Sequence, residues 1–151
     1  MTQLERAERV REARARYFAE NGFGDGGNDD RFVWLRAGGL PVLVLPNTRQ
    51  RVRSVRIHDV HHVLTGYATS WRGEGEIAAW ELASGCRDHV AAWLLNLAAA
   101  LIGCLIAPRA AWRAFRRGRA TRNLYDREWD DGILERSVSG LRRELGLDAT
   151  P

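Results

Sequence analysis

The chain has 151 residues, 45% of them apolar and 28% charged, with a formal net charge of +4. That length suits one domain with a core of its own, and the balance excludes a disordered chain. All 23 basic residues are arginine, mixed with acids and without an aromatic ladder along a basic stripe, so no nucleic-acid partner is expected.

The N-terminus, "MTQLERAERVREARARYF", has no apolar run of a secretory kind. Cys86 and Cys104 stand apart and outside any CxxC pair, as buried thiols in a reducing compartment do, so a cytoplasmic protein is expected. Over residues 2–20, Leu4, Ala7, Val10, Ala13 and Tyr17 form one apolar face of an amphipathic helix. "NGFGDGGNDD" stops it. Gly22, Gly24 and Gly27 match GxGxxG, but no strand precedes them and no helix obviously starts within them, so the stretch reads as a loop. "RFVWLRAGGLPVLVLPN" predicts a short β-hairpin, with Pro41 pushing its second strand to an edge.

Helical spacing returns from Arg49 to Tyr67, with Ile57, Val60, Leu64 and Tyr67 on one side. A break at "ATSWRG" separates it from a helix over Glu74–Ser84. Residues 90–107, "VAAWLLNLAAALIGCLIA", are apolar except for Asn96. They read first as a central core helix and second as a membrane insertion. "PRAAWRAFRRGRATR" then suits either an anionic membrane surface or a solvated helix docking Trp112 and Phe115 on the core. Leu134, Val138, Leu141 and Leu145 predict a closing helix stopped by Gly146. The fold class expected is mainly α: a single-domain helical bundle over 1–151, with a small N-terminal hairpin within 1–48 and a helical metal-binding region over 49–147.

Three of the four histidines fall within five positions, in "RIHDVHHVLTGYATSWRGEGE". His58 and His62 are four apart, so on a helix their imidazoles project from one face and can reach one divalent ion. Asp59 lies about 100° around and either ligates or acts beside the ion as a base. Glu74, at the start of the next helix, brings a carboxylate within reach. Nitrogen and oxygen donors without thiolates suit zinc first, then iron or manganese. His61 turns about 60° from His58 toward the apolar side and is not counted as a ligand. The apolar stripe lies nearly opposite His58, His62 and Thr65, so a metal site requires this second face to be covered by the helix bearing Glu74. Glu81 stands about 10 Å along that helix from Glu74, too far for the same ion. It either shapes a substrate pocket or lies on a solvated face.

"HDVHHVLTGYATSWRGE" resembles the HDxxH-x11-E signature of the coenzyme Q biosynthesis protein 4 family, with His58, Asp59, His62 and Glu74 on its four motif positions. The likeness runs loosely from residue 50 to residue 147, through "NLYDREWDD" and "LRRELGL". The resemblance implies a helical fold that binds a divalent metal, associates peripherally with membranes and organises enzymes of ubiquinone biosynthesis. It also implies an oxidative decarboxylation, replacing the ring carboxylate of a prenylated benzoate by hydroxyl. Asp59 would then move a proton, and an arginine such as Arg109 or Arg113 would hold the carboxylate, with Glu81 beside the substrate. A homo-oligomer, peripheral on the inner membrane face, is expected. The region before residue 48 lacks the family's N-terminal motifs, so the metal site can be shared while the substrate is another aromatic or polyketide-like acid, in a secondary-metabolite pathway. The competing expectations are a non-catalytic lipid-binding scaffold with a structural metal, and a hydrolase of the HExxH kind. Against the hydrolase, Asp replaces the longer general-base Glu.

Overall fold

In the computed structural model, the described residues are 8–24, 32–37 and 40–148. They are mainly helical, with α1 at Val10–Asn21, α2 at Arg49–Thr65, α3 at Trp71–Ser84, α4 at Val90–Ile106, α5 at Pro108–Ala120, α6 at Gly132–Glu135 and α7 at Val138–Leu145. Two antiparallel strands, β1 at Phe32–Ala37 and β2 at Leu40–Pro46, pair from Phe32–Pro46 to Ala37–Leu40, with a slip between Leu35 and Arg36. Leu4, Ala7, Gly27, Gly38 and Gly39 lie outside the described residues.

Local chemistry sets the helix ends. Gly22 and Gly66 adopt φ of 67° and 77° and close α1 and α2 in the left-handed conformation that only glycine reaches cheaply. The Ser70 hydroxyl accepts the Gly73 amide, so α3 begins at Trp71, one turn earlier than the sequence predicts. The expected closing helix is two helices: Ser137 caps α7, and Leu134 belongs to α6. This link also holds α1, through Val10 N–H to the Arg136 carbonyl (2.9 Å) and Val138 N–H to the Glu8 carbonyl (2.9 Å).

The core forms around Trp80, with Ile57, Val60, Leu64, Ile77, Leu124, Leu141 and Leu145 fully or almost fully buried. α3 lies at its centre, against α4 on one side and α5 on the other. Residues 90–107 are not the central helix expected of them. α4 buries only Ala92, Asn96, Ala100 and Gly103, while Leu94, Leu97, Leu101 and Leu105 are 54–86% exposed. Its small residues let α3 approach so closely that the backbones touch. Among the described residues no helix is long and apolar enough to cross a membrane.

A Cβ on Gly103 would stand 2.6 Å from the Gly75 Cα. Gly103→Ala is therefore expected to lower unfolding stability by about 1–3 kcal/mol despite alanine's better helix propensity, because backbone must give way. Urea unfolding checks it: a gain in stability would show that the helices can separate at no cost.

Candidate metal centre

α2 is buried on more than its apolar stripe. His61, His62 and Thr65 are buried together with Ile57, Val60 and Leu64, since α3 covers the second face and α1 adds Tyr17, which stacks on His62 (centroids 5.4 Å apart, 21° between planes). At the crossing of α2 and α3, His58, His62 and Glu74 converge, each offering a ligand atom within 4.8 Å of the others. The two Nε2 atoms are 3.2 Å apart; His58 Nε2 is 3.5 Å from Glu74 Oε2, and His62 Nε2 is 3.3 Å from Glu74 Oε1.

Hydrogen bonds fix which nitrogens are free. His62 Nδ1–H donates to the Tyr67 carbonyl at 2.8 Å, and His58 Nδ1–H donates to Glu81 Oε1 at 3.0 Å. Both Nδ1 atoms therefore carry protons, and two imidazole lone pairs meet at Nε2 beside a carboxylate. Such an arrangement is stable only around a cation, either a proton on one ring or a metal ion on both. The donor set fits a metal: in a tetrahedron with ligand bonds of about 2.0–2.1 Å the donor atoms lie roughly 3.3 Å apart, close to all three separations above.

Glu81 is the group that sequence reasoning misjudged. It does not lie on a solvated face: it is 0% exposed and accepts four hydrogen bonds. Oε1 takes His58 Nδ1–H and His61 Nδ1–H (2.6 Å); Oε2 takes the Asn96 amide and the Tyr125 hydroxyl (2.9 Å). His61 accepts the Leu124 amide at Nε2 (3.0 Å), so it is a neutral core histidine that holds the carboxylate rather than a ligand. Burial pushes its pKa down. For Glu81, burial acts to raise the carboxyl, but the charge and hydrogen bonds of His58 and the neighbouring His61 win and hold it well below the usual carboxylate range. Burial likewise opposes charge on His58, and Glu81 and Glu74 overcome it, raising the imidazole well above 6.5. Glu74 is held at about 2: burial works against it, and His58 and His62 prevail. A buried carboxylate behind a ligating histidine is the usual way a metal site fixes its tautomer. Two sequence signals pointed to it: Glu81 interrupts an apolar run, and Asn96, the lone polar residue of α4, faces it.

Asp59 is not among the converging ligand atoms. The turn that separates it from His58 directs it toward α1, where Arg14 Nη2 lies 3.5 Å from Oδ2. Burial raises its pKa, against the pull of His58, Arg14 and His62. Arg109 and Arg113 are exposed on α5 and are not in the lining of the cavity that contains His58 and Glu74. The arginine that lines it is Arg51, in a cavity of about 370 Å³ between α2 and α4.

Comparisons with family models, with curated proteins and with solved structures return no match. The centre is therefore read on its own geometry.

Proposed function

We propose that this protein is a divalent-metal-dependent enzyme acting on an apolar aromatic acid, of the decarboxylase or hydroxylase kind. The observation that carries the reading is the pair of facing Nε2 lone pairs, 3.2 Å apart beside Glu74 and backed by buried Glu81. His58, His62 and Glu74 would hold the ion. An ion held there supplies Lewis-acid or oxygen-handling chemistry. Glu81 keeps the His58 proton at Nδ1, Tyr17 shields His62, and α4 gives the cavity beside His58 and Glu74 an apolar wall. The resemblance of His58, Asp59, His62 and Glu74 to the HDxxH-x11-E signature of the coenzyme Q biosynthesis protein 4 family supports the substrate class, a greasy body with an acidic head. Exchange of such a ring carboxylate for hydroxyl is a two-electron oxidation: in the proposed reaction water supplies the hydroxyl oxygen and dioxygen takes the two electrons, so carbon dioxide and hydrogen peroxide are released.

Elemental analysis of purified wild type and Glu74→Ala tests this, together with turnover of a prenylated hydroxybenzoate in aerated buffer by the zinc-, iron- and manganese-loaded forms. Wild type is expected to retain one ion per chain, and Glu74→Ala to lose both metal and product. Full turnover by the metal-free variant would remove the mechanism.

A second reading, a membrane-surface scaffold with a structural metal, is favoured by one observation. The outer face of α4 and Trp112 of α5 form a broad exposed apolar strip beside arginines. Metal retention without turnover, with liposome binding lost in Trp112→Ala, is the outcome that selects it. Phe115 is half-buried against the core and contributes less.

A further inference from the structure

The cavity between α2 and α4 has chemically different ends. Arg51, Val55 and His58 follow one face of α2, so the guanidinium and the metal ligands stand about two helical turns apart along one groove. The Arg51 side chain reaches away from His58: its Nη1 donates to Asn47 Oδ1 at 2.7 Å. Its Nε is buried and has no hydrogen-bond partner among the described residues. The facing wall is hydrocarbon, from Leu95, Ala98, Ala99 and Ile102 of α4, with Trp71 at the rim. At the far end stands the Glu74 carboxylate, with Glu81 buried behind His58. A cation with a spare, dry N–H at one end and carboxylates at the other orient a ligand by charge.

We propose that Arg51 is the anion-recognising residue of this cavity, and that the ligand is an organic acid whose acidic group is held there. The apolar body of the ligand lies along α4 toward His58 and Glu74. A carboxylate that draws the guanidinium from Asn47 into the cavity satisfies Nε and one terminal nitrogen together, the arrangement for which arginine is better suited than lysine. The binding mode stands without the proposed metal chemistry: an acidic group held at Arg51 is about two helical turns from His58, so it is a second acidic group or a separate ligand and not the carboxylate exchanged at the ion.

Calorimetric titration of the full chain with decanoate and with decanol, both metal-free and zinc-loaded, tests the inference. Decanoate is expected to bind more tightly than decanol. Arg51→Gln is expected to weaken decanoate by about 10–100-fold while leaving decanol unchanged, as loss of a charge-assisted pair does. Arg51→Lys should fall between, which keeps the test alive if the glutamine variant folds poorly by circular dichroism. Ala98→Trp should weaken both ligands, and Arg116→Gln, exposed on α5, neither.

Equal affinity for the two ligands, no binding of decanoate by folded protein, or an unchanged Arg51→Gln each overturns the proposal. So does binding that ignores Ala98→Trp, since the ligand is then on the outer face of α4. If decanoate affinity follows zinc and His58→Ala instead of Arg51, the acid goes to the metal, and the metal reading survives while this inference falls. If Arg51→Gln behaves as expected in a protein that takes up no metal, the reverse holds.

Discussion

Glu81→Ala is expected to destabilise the protein by about 3–5 kcal/mol and to abolish stoichiometric zinc binding. The cost arises because four donors lose their acceptor at once, in a place water does not reach: the Nδ1–H groups of His58 and His61, the Asn96 amide and the Tyr125 hydroxyl. Glu81→Gln separates the two effects. Its volume is nearly unchanged, but one carboxylate oxygen becomes an amide that faces either two imidazole N–H groups or the Asn96 and Tyr125 donors. Whichever way it turns, a donor meets a donor. Zinc affinity should fall by about 10–100-fold, the usual cost of losing the carboxylate behind a ligating histidine. Competition against a chromophoric chelator gives the affinity and urea unfolding the stability. A glutamine variant with wild-type zinc affinity would detach Glu81 from the metal centre and leave it a purely structural carboxylate.

Metal-free protein should lose stability as the pH rises above neutrality, and zinc should remove that loss. Without metal, the cation between His58, His62 and Glu74 is a proton, and Glu81 and Glu74 hold it on His58 well above the ordinary imidazole value. A raised folded-state pKa contributes stability that is complete below the unfolded value of about 6.5 and disappears as pH climbs through the folded one. On the acid side the sign reverses. Glu74, held at about 2 against an ordinary 4.5, contributes stability present above 4.5 and lost as the pH falls toward 2, and Glu81 acts in the same direction. Buried His61, with its pKa pushed down, adds a loss that begins as the pH falls below about 6.5, so the metal-free protein should be most stable near neutrality. Once a metal ion takes the Nε2 lone pairs, no proton is needed there, and the alkaline limb should flatten. Urea midpoints from about pH 3 to about pH 9, with a chelator and with zinc, give both limbs. A metal-free midpoint that stays level or rises across the alkaline range would mean that His58 does not carry the compensating charge.

The atoms that set this pH dependence also separate what was legible in the chain from what was not. Periodicity placed α2 and α3 because an amphipathic helix must repeat its apolar positions near 3.6 residues, and Ile57, Val60 and Leu64 do so. Capping chemistry was readable at Gly66 and Gly146. It was missed at Ser70 and Ser137, where a single hydroxyl moves a helix start by a turn or splits one helix into two. The apolar segment of α4 was legible as a helix but not as a peripheral one. Hydrophobicity says that a surface prefers to be covered, not what covers it, and here one face of α4 meets α3 and α5 while the other stays exposed.

By itself the sequence determined a mainly helical chain and a helix carrying His58 and His62 one turn apart, with Glu74 close behind in the chain. Those follow from spacing, which a single helix fixes. Only the tertiary structure decided that Asp59 turns to Arg14, that Glu81 lies buried behind His58, and that Arg51 rather than Arg109 or Arg113 shares a cavity with the ligands. Each of these depends on which neighbouring helix meets which side of α2 or α3. That is set by the close approach of small residues, Gly75 on Gly103 above all, and local periodicity carries no information about it.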